Sequence, residues 1–478
     1  MYEGLYLSTP DKFKTKAGFV RLWRNECHRV FGDRLINNID SNLVQEEIIP
    51  GLIRQHFKDT EEEVMQPNLF FGDFALSEPG GEAEDPRLYE DFCSVDKVKE
   101  KLEFFLSEYN DEHKMMDLVL FTDALQHLTR IHRVIRFPKG SALLVGFGGS
   151  GKQSLTRLAT YVAAYDIFRL NLTRTYGQED LKEDLRNLYK LVLKQPKTFL
   201  FTDADVADEG FLELLNNILT IGMVPSLFPE EEKDGLCSPL DAEMRRKKLP
   251  ETKDFRWNYF VTRARENLHI CLCMSPAGDS LRIRCRSFPG LVSNTQIDWF
   301  FPWPEDALSD VATHFLKDVP IDKELFPKII DHITMIHISV QKYSSDFDTI
   351  YKRKNYSTPK NYLDFIKNYM KFLGDKRKSI DMSVTRLEGG LATLAKAAED
   401  TAVLQEELAI QDADIAEKKI VVEEMIANIN AKTEVASKQE VDATEMKNFL
   451  EEKNKEITIK KAEADLALEE AEPIVAEA

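Results

Sequence analysis

No hydrophobic run in the sequence approaches 18 residues, and the chain does not open on a basic and apolar leader. A membrane-spanning helix needs about 20 mostly apolar residues, and a secretory signal needs an apolar stretch behind a positive charge. We therefore expect a protein that neither spans a membrane nor is secreted, and that lies on the cytoplasmic side. Hydrophobic residues still make up 43% of the 478 residues, which is enough for the core of more than one domain.

Cysteine is also scarce, and the six cysteines have no paired spacing typical of a metal site. Cys271 and Cys273 lie on a predicted strand, where they are best explained as core packing in a reducing compartment. The others are Cys27, Cys93, Cys237 and Cys285.

Basic residues are in deficit, most of all in the last part of the chain. Residues 381–478 hold 11 lysines and arginines against 24 aspartates and glutamates, whereas the residues before them hold 52 against 58. Two-thirds of the net charge of −19 therefore lies in this tail. We do not expect so acidic a tail to bind nucleic acid, or another acidic surface, without a separate basic element.

The tail has no proline between Pro359 and Pro473, and it carries a heptad pattern. Every seventh residue is apolar except Thr401; these positions are Leu387, Leu394, Thr401, Leu408, Ile415, Val422, Ile429, Ala436, Ala443, Leu450, Ile457, Ala464 and Ala471. The companion positions four residues later include the apolar Leu391, Ala398, Ile426 and Leu468 and the polar Gln405, Asp412, Lys419, Glu440, Lys447, Asn454 and Lys461. The period predicts a left-handed coiled-coil helix about 126 Å long with one good seam and one polar seam. A solvated single helix and a parallel homodimer are the alternatives.

The stretch GFGGSGKQSLTRLA, residues 146–159, nearly matches a phosphate-binding loop. A compact apolar run, 142–145, precedes it as a predicted buried strand, and apolar residues at helical spacing follow it. Backbone N–H groups of Gly148 to Lys152 would converge on phosphates, and the Lys152 ammonium would reach the outer ones. The predicted nucleotide-binding residues are Gly146, Phe147, Gly148, Gly149, Ser150, Gly151, Lys152, Gln153 and Ser154. The alternative is a glycine turn with no ligand.

The loop departs from the usual pattern at Gln153, where a hydroxyl normally coordinates Mg²⁺, and Ser154 stands one residue later. Asp203 ends a second predicted strand, KTFLFTDAD, and is our candidate for the carboxylate that holds Mg²⁺; an ordinary turn residue is the alternative. Ala204 follows it, at the position where proteins that hydrolyse a nucleotide bound to such a loop carry a glutamate that polarises the attacking water. Strand alternation would turn Asp205 to the other face. Nucleotide binding is thus favoured over fast turnover.

A third predicted strand, NLHICLCMSP, ends at Ser275, which is a candidate sensor of the terminal phosphate or else a simple exit from the strand. Beyond it, Arg282, Arg284 and Arg286 are candidate arginine fingers for a nucleotide held by a neighbouring module. Solvated arginines, or arginines paired with acids, are the alternative.

Several stretches resemble the fourth AAA+ module of axonemal dynein heavy chains: LVGFGGSGKQSLTRLA, FLFTDADVADEGFLELLNNILTIGMVPSLF, NLHICLCMSPAGDSLRIRCRSFPGLV and IDWFFPWPEDAL. FVRLWRNECHRVFGDRLI resembles the lid helices that close the third module, and NYSTPKNYLDFIKNYMKFL resembles the lid of the fourth. The resemblance implies a P-loop AAA+ module, with a parallel sheet flanked by helices and a helical lid, followed by the outgoing coiled-coil helix of the stalk.

By the same resemblance, ATP or ADP with Mg²⁺ are the cofactors, and the site belongs to a six-module ring in the axoneme of a cilium or flagellum. The implied partners are the neighbouring AAA+ modules, the returning stalk helix with its microtubule-binding tip beyond this sequence, and dynein intermediate and light chains. The microtubule is contacted only through that tip. Nucleic acid and membrane are not expected partners.

The predicted organisation has four parts: helical lid of the third module with a linker at 1–95, the large α/β subdomain at 96–304, its helical lid at 305–380, and the stalk helix at 381–478. The segment 230–254 is expected to be a polar loop outside the core, and His332 and His337 to be packing or surface residues rather than ligands.

Three functions remain open. The first is a regulatory motor module with little or no hydrolysis of its own, which couples the ring to the tip. The second is an autonomous ATPase with a coiled-coil arm, which would need a Leu-Ser-Gly-Gly type signature and an adjacent Asp-Glu, and neither is present. The third is a coiled-coil scaffold with a vestigial glycine loop.

Overall fold

The computed structural model describes residues 4–5, 7–8, 15–77, 87–436 and 451–461, without the side chains of residues 38 and 428–436. Contacts divide the chain into two units, Met1–Leu373 and Gly374–Ala478. Within the described residues, no helix is both long enough and apolar enough to cross a bilayer.

The first unit opens with a helical segment, residues 15–65. Its α-helices are α1 (Lys16–Cys27), α2 (Asn38–Asn42), α3 (Ile49–His56) and α4 (Glu61–Met65), joined by π-helical turns at His28–Gly32 and Leu43–Ile48 and a 3-10 turn at Lys58–Thr60. Thr15 caps α1 by accepting a hydrogen bond from the backbone N–H of Gly18.

Two short strands follow where the sequence predicted only helix and loop. β1 (Phe71–Gly72) and β2 (Glu90–Asp91) pair antiparallel. A strand of two residues has no periodicity of its own, so the pairing depends on contacts between distant residues that the local sequence does not reveal. The two strands lie on either side of the predicted linker loop, and the sequence analysis did not predict them.

A five-stranded parallel sheet forms the centre of the first unit, in the order β4-β5-β6-β3-β7. Its strands are β3 (Ala142–Gly146), β4 (Asp166–Phe168), β5 (Lys197–Thr202), β6 (Leu268–Met274) and β7 (Gln296–Phe300). β3, β5 and β6 are buried along their whole length, which explains their nearly continuous apolar sequence. Alternate side chains enter two separate cores, Leu144 on one face and Leu143 and Val145 on the other.

Helices cover both faces of this sheet. They are α5 (Val95–Glu112), α6 (Thr122–Arg136), α7 (Lys152–Val162), α8 (Gln178–Val192), α9 (Gly210–Ile221), α10 (Glu230–Cys237), α11 (Asp241–Arg246), α12 (Lys253–Asn267), α13 (Ser280–Ser287) and α14 (Gly290–Ser293). The layered arrangement confirms the predicted α/β class.

The segment 230–254 is not the polar loop that its composition predicted. It holds α10, a 3-10 turn at Ser238–Leu240 and α11, and it buries Cys237, Leu240 and Met244. Three apolar residues suffice to attach these helices, and the many charged residues around them concealed the pattern.

Three helices close the first unit: α15 (Glu305–Leu316), α16 (Phe326–Tyr351) and the start of α17 (Pro359–Ala436). Tyr362 is fully buried between them, and its hydroxyl donates to the carbonyl oxygen of Leu308 at 2.8 Å. On α16, His337 is buried and contacts Gln341, whereas His332 is exposed, as expected of packing and surface residues.

The described part of the second unit comprises α17 from Gly374 onward and helical residues 451–461. Its apolar heptad side chains are exposed over the described part, for example Leu387 at 67% and Ile415 at 61%. Gly389 and Gly390 stand side by side in this helix with nothing near the position of a side chain. Predicted seam residues Ala443, Leu450, Ala464 and Ala471 lie outside the described residues.

Candidate nucleotide site

The glycine loop connects β3 to α7, in the order predicted from the sequence. Gly149 and Gly151 have φ angles of +84° and +88°, in the left-handed region that glycine adopts at low cost. The loop therefore curls ahead of the helix, where N–H groups without intrahelical partners and the positive end of the helix dipole attract anions.

Lys152, the first residue of α7, folds over this loop. Its ammonium donates hydrogen bonds to the carbonyl oxygens of Gly146 and Phe147, the latter at 2.8 Å, and to the hydroxyl of Ser150 at 3.2 Å. Burial lowers the pKa of Lys152, and the nearby Asp203 carboxylate acts in the opposite direction. The cation predicted to hold phosphate thus lies at the loop.

Asp203 and Ser275 follow the carboxyl ends of β5 and β6; β6 lies next to β3 in the sheet, and β5 lies next to β6. The backbone N–H of Ser275 donates to Oδ2 of Asp203 at 2.5 Å. The structure therefore brings two predicted site residues into contact at the same sheet edge as the glycine loop, where ligands bind in open α/β sheets.

Arg284 contacts different residues from the other two candidate arginine fingers. Its guanidinium donates to Oδ1 of Asp203 at 2.9 Å and to Oε1 of Glu209 at 3.0 Å. Arg282 and Arg286 instead line an open groove with Arg34. The alternative of arginines paired with acids thus applies to Arg284, although its two partner acids could not be identified from the sequence because they lie 75 and 81 positions away in the chain.

The residues fit a di- or triphosphate better than they fit a metal ion. Both carboxylate oxygens of Asp203 accept hydrogen bonds from protein donors, so Mg²⁺ would have to displace Arg284. Gln153 is exposed, whereas Ser154 lines the cavity next to the loop. Over the described part of the chain, no three His, Cys, Asp or Glu residues are grouped to hold a metal.

Asp205 forms hydrogen bonds with the residue just before its own 3-10 turn. Its Oδ2 accepts hydrogen bonds from the backbone N–H and the hydroxyl of Thr202, both at 2.8 Å, and the residue is buried. It serves as a cap for the 3-10 turn at Asp203–Asp205, and Ala204 beside it carries no polar group.

A cavity of about 280 Å³ opens beside the loop, and we call it the P-loop cavity. Gly149, Gly151 and Ser154 form its polar wall. Its apolar wall was missed by the sequence analysis and comprises Leu118, Val119, Phe121, Trp303, Phe315 and Leu363. The signal in the sequence was the apolar run 118–121 just before α6, although only the fold brings it next to Trp303, whose ring lies 5.3 Å from that of Phe121.

An apolar wall facing a glycine loop suits a ligand with a flat, weakly polar end and an anionic end, which is the shape of a nucleotide. The parallel sheet, the glycine loop ahead of α7 and the helical lid together define a P-loop module of the AAA+ class.

Comparison with known families narrows this class. The family described as "P-loop containing dynein motor region D4" matches residues 116–372, and the one described as "AAA+ lid domain" matches residues 1–67. The chain belongs to the dynein motor region D4 family.

Similar proteins are axonemal dynein heavy chains. Dynein axonemal heavy chain 10 of Homo sapiens is 46% identical over 478 residues, which are 99% of this chain and 11% of that protein. The Dynein-1-alpha heavy chain, flagellar inner arm I1 complex, of Chlamydomonas reinhardtii is 46% identical over 97% of this chain and 10% of its own length. The ciliary dynein beta chain of Tripneustes gratilla is 37% identical over 99% and 10%. The chain spans about a tenth of the length of these relatives.

Proposed function

We propose that this chain is a regulatory nucleotide-binding module and stalk segment of an axonemal dynein heavy chain. It binds ATP or ADP, hydrolyses it very slowly, and passes the state of the site to the stalk helix. In this proposal residues 1–95 complete the third module, 96–304 and 305–380 form the fourth, and 381–478 form the outgoing stalk helix.

The proposal of slow hydrolysis is supported mainly by the positions and partners of the acidic residues near Asp203. Ala204 occupies the position of the water-activating glutamate, and Asp205 is committed to Thr202. Glu209 is paired with Arg284. Loss of a positioned catalytic group typically lowers a rate by 10² to 10⁴. The anion-binding loop and Lys152 remain, so binding without rapid turnover follows.

Nucleotide binding is tested by Lys152→Ala, with Lys190→Ala on the exposed side of α8 as the matched control. We expect the protein and the control to bind a fluorescent ATP or ADP analogue with similar affinity, and Lys152→Ala to lose binding. Equal binding by Lys152→Ala and the control would contradict the proposal. Absence of binding by all three proteins would favour a scaffold with a vestigial loop.

The stalk part of the proposal rests on the exposed apolar seam of α17. Leu387, Leu394, Leu408, Ile415 and Val422 lie seven residues apart or at multiples of seven, and all are more than half exposed. Such a seam fits a partner helix, and the polar companion seam would let two registers lie close in energy. In this proposal the partner is the returning stalk helix, which bears the microtubule-binding tip.

In this proposal the stalk helix acts as a lever: it transmits movement and is not itself a binding surface. The chain should therefore be monomeric and should not bind microtubules by itself. Sedimentation should give the mass of one chain, and the chain should stay in the supernatant when microtubules are pelleted at physiological salt. A tight homodimer, or a chain that pellets with microtubules, would replace the lever with a scaffold.

The location and the partners that we propose for this chain follow its relatives, which are named as axonemal, flagellar and ciliary dyneins. We place this chain in the axoneme, with neighbouring modules of its own heavy chain as direct partners and dynein intermediate and light chains in the same complex.

A further inference from the structure

A chain of polar contacts connects the helical segment 15–65 to the P-loop cavity. It begins at Asp33, just after the π-helical turn His28–Gly32, and ends at Phe300 on the edge strand β7. Residues at both ends line the P-loop cavity together with Gly149 and Gly151.

The first link is Arg130 on α6. Its Nε lies 3.6 Å from Oδ1 of Asp33, and its Nη1 donates to Oδ1 of Asp298 at 3.0 Å. Asp298 is paired in register with Leu144 in the middle of the loop-bearing strand β3. One guanidinium therefore bridges an acid of the helical segment and an acid of the sheet.

The second link runs through His127, one turn before Arg130 on the same helix. Its Nδ1 lies 2.7 Å from Oδ2 of Asp298, and its ring stacks on the ring of Phe300 at 3.9 Å. A Cβ placed on Gly146 would come within 2.6 Å of Cβ of Phe300. The contacts thus reach the first residue of the glycine loop without a gap.

The helical segment also forms part of the wall of the P-loop cavity beyond Asp33. Ser41 and Gln45 of the helical segment line the same cavity.

We propose that Asp33 is a positioning residue of the nucleotide site, which acts through Arg130, Asp298 and His127 to couple docking of the helical segment 15–65 to nucleotide affinity. The inference rests on the proposed nucleotide binding and adds a regulator to it: the lid of one module sets the affinity of the next. Coupling of this kind is reciprocal, so nucleotide must stabilise the docked segment by the same factor by which docking strengthens nucleotide binding.

The first test measures amide hydrogen exchange of residues 28–45 in the unmodified chain, with and without saturating ADP. We expect ADP to slow exchange there several-fold, including at residues 28–31, which do not line the P-loop cavity. This measurement needs no substitution and therefore does not depend on a variant that folds. Unchanged exchange in a chain that binds ADP would overturn the inference while leaving nucleotide binding intact.

The second test is Asp33→Asn, which keeps the shape of the side chain and removes its charge. We expect about 5-fold to 20-fold weaker ADP binding, in the range typical of coupling between sites, and loss of the ADP effect on residues 28–45. Asp40→Asn, an exposed acid of the same segment, is the control and should bind ADP like the unmodified chain.

A double-mutant cycle with Arg130→Gln separates this role from a loss of folding. If Asp33 acts through Arg130, the two substitutions together weaken ADP binding little more than Arg130→Gln alone. Additive effects, or an affinity of Asp33→Asn within twofold of the unmodified chain, would overturn the inference. A chain that binds no ADP at all would overturn both the inference and the proposed function.

Discussion

Arg284 donates a hydrogen bond of 2.9 Å to Asp203, so the acid predicted to hold Mg²⁺ is neutralised by an arginine of its own module. A guanidinium and a magnesium ion compete for one carboxylate. The pairing therefore predicts a nucleotide site with a weak dependence on Mg²⁺.

Arg284→Gln should release Asp203 and strengthen the effect of Mg²⁺ on ATP binding. We expect Mg²⁺ to change the ATP affinity of the unmodified chain by less than about threefold, and that of Arg284→Gln by about tenfold, which corresponds to roughly 1.4 kcal/mol. Titrations with Mg²⁺ and with a chelator measure this. Arg286→Gln, on the same helix but away from Asp203, is the control. If both variants respond to Mg²⁺ like the unmodified chain, the Arg284 pairing does not govern the metal.

Hydrolysis should respond to restoration of the missing glutamate only when an arginine completes the site. The unmodified chain should release phosphate from ATP very slowly. Ala204→Glu with Gln153→Thr restores a water-activating acid and a metal-binding hydroxyl, so we expect a rise when neighbouring modules are present and little change in this chain alone. Ala207→Glu with Gln153→Thr adds the same charge at another exposed position and should change nothing. Brisk phosphate release from the unmodified chain would contradict the assignment.

Two neighbouring glycines of the loop should differ sharply in their tolerance of alanine. A Cβ on Gly149 would lie 2.5 Å from the backbone nitrogen of Lys360, and its φ of +84° is strained for alanine, whereas a Cβ on Gly148 meets nothing within 4 Å. Gly149→Ala should therefore lower the thermal midpoint and speed hydrogen exchange at the start of α17. Gly148→Ala serves as its matched partner, with an expected midpoint close to that of the unmodified chain. Similar midpoints for the two variants would show that the loop does not press against α17.

Acid should weaken the first unit through His269. This residue is 2% exposed, and its ring nitrogen Nδ1 lies 3.0 Å from the Gly140 carbonyl oxygen. Burial lowers the pKa of His269 to about 4, so below pH 6.5 the unfolded chain takes up a proton that the folded chain does not. The free energy of unfolding therefore falls as the pH drops from about 6.5 toward 4.

Urea denaturation at pH 7.5 and 5.5 measures this loss. His269→Gln should lose roughly 1 kcal/mol less than the unmodified chain between these two pH values. The exposed His332→Gln should lose as much as the unmodified chain. An equal loss in all three proteins would assign the acid sensitivity to other groups.

The sequence predicted those elements whose signal is local. The apolar run before the glycines became β3, and Asp203 and Ser275 stand just beyond the ends of β5 and β6. Each of these features is contained in about ten consecutive residues, where apolar pattern and glycine content suffice.

The parts that escaped prediction depend on residues far apart in the chain. Asp33 and Arg130 meet across 97 positions, and Phe121 meets Trp303 across 182. A single aspartate or tryptophan belongs to no repeating pattern, so its contact partner cannot be inferred from the sequence. Such contacts are determined by how the distant elements pack in the fold. The prediction of a loop at 230–254 was wrong for another reason: the segment has only three buried apolar residues among many charged ones, so its helical pattern is hard to detect.

The adjacent Gly389 and Gly390 give α17 an uneven stiffness. Each glycine in a helix costs about 1 kcal/mol relative to alanine, and paired small residues are common sites of helix kinks. A rod built this way does not flex uniformly, because bending strain collects at its most compliant point. The helix from Gly374 to Ala436 is therefore best regarded as a jointed beam, in which a torque applied on one side of the joint is partly absorbed before it reaches the other.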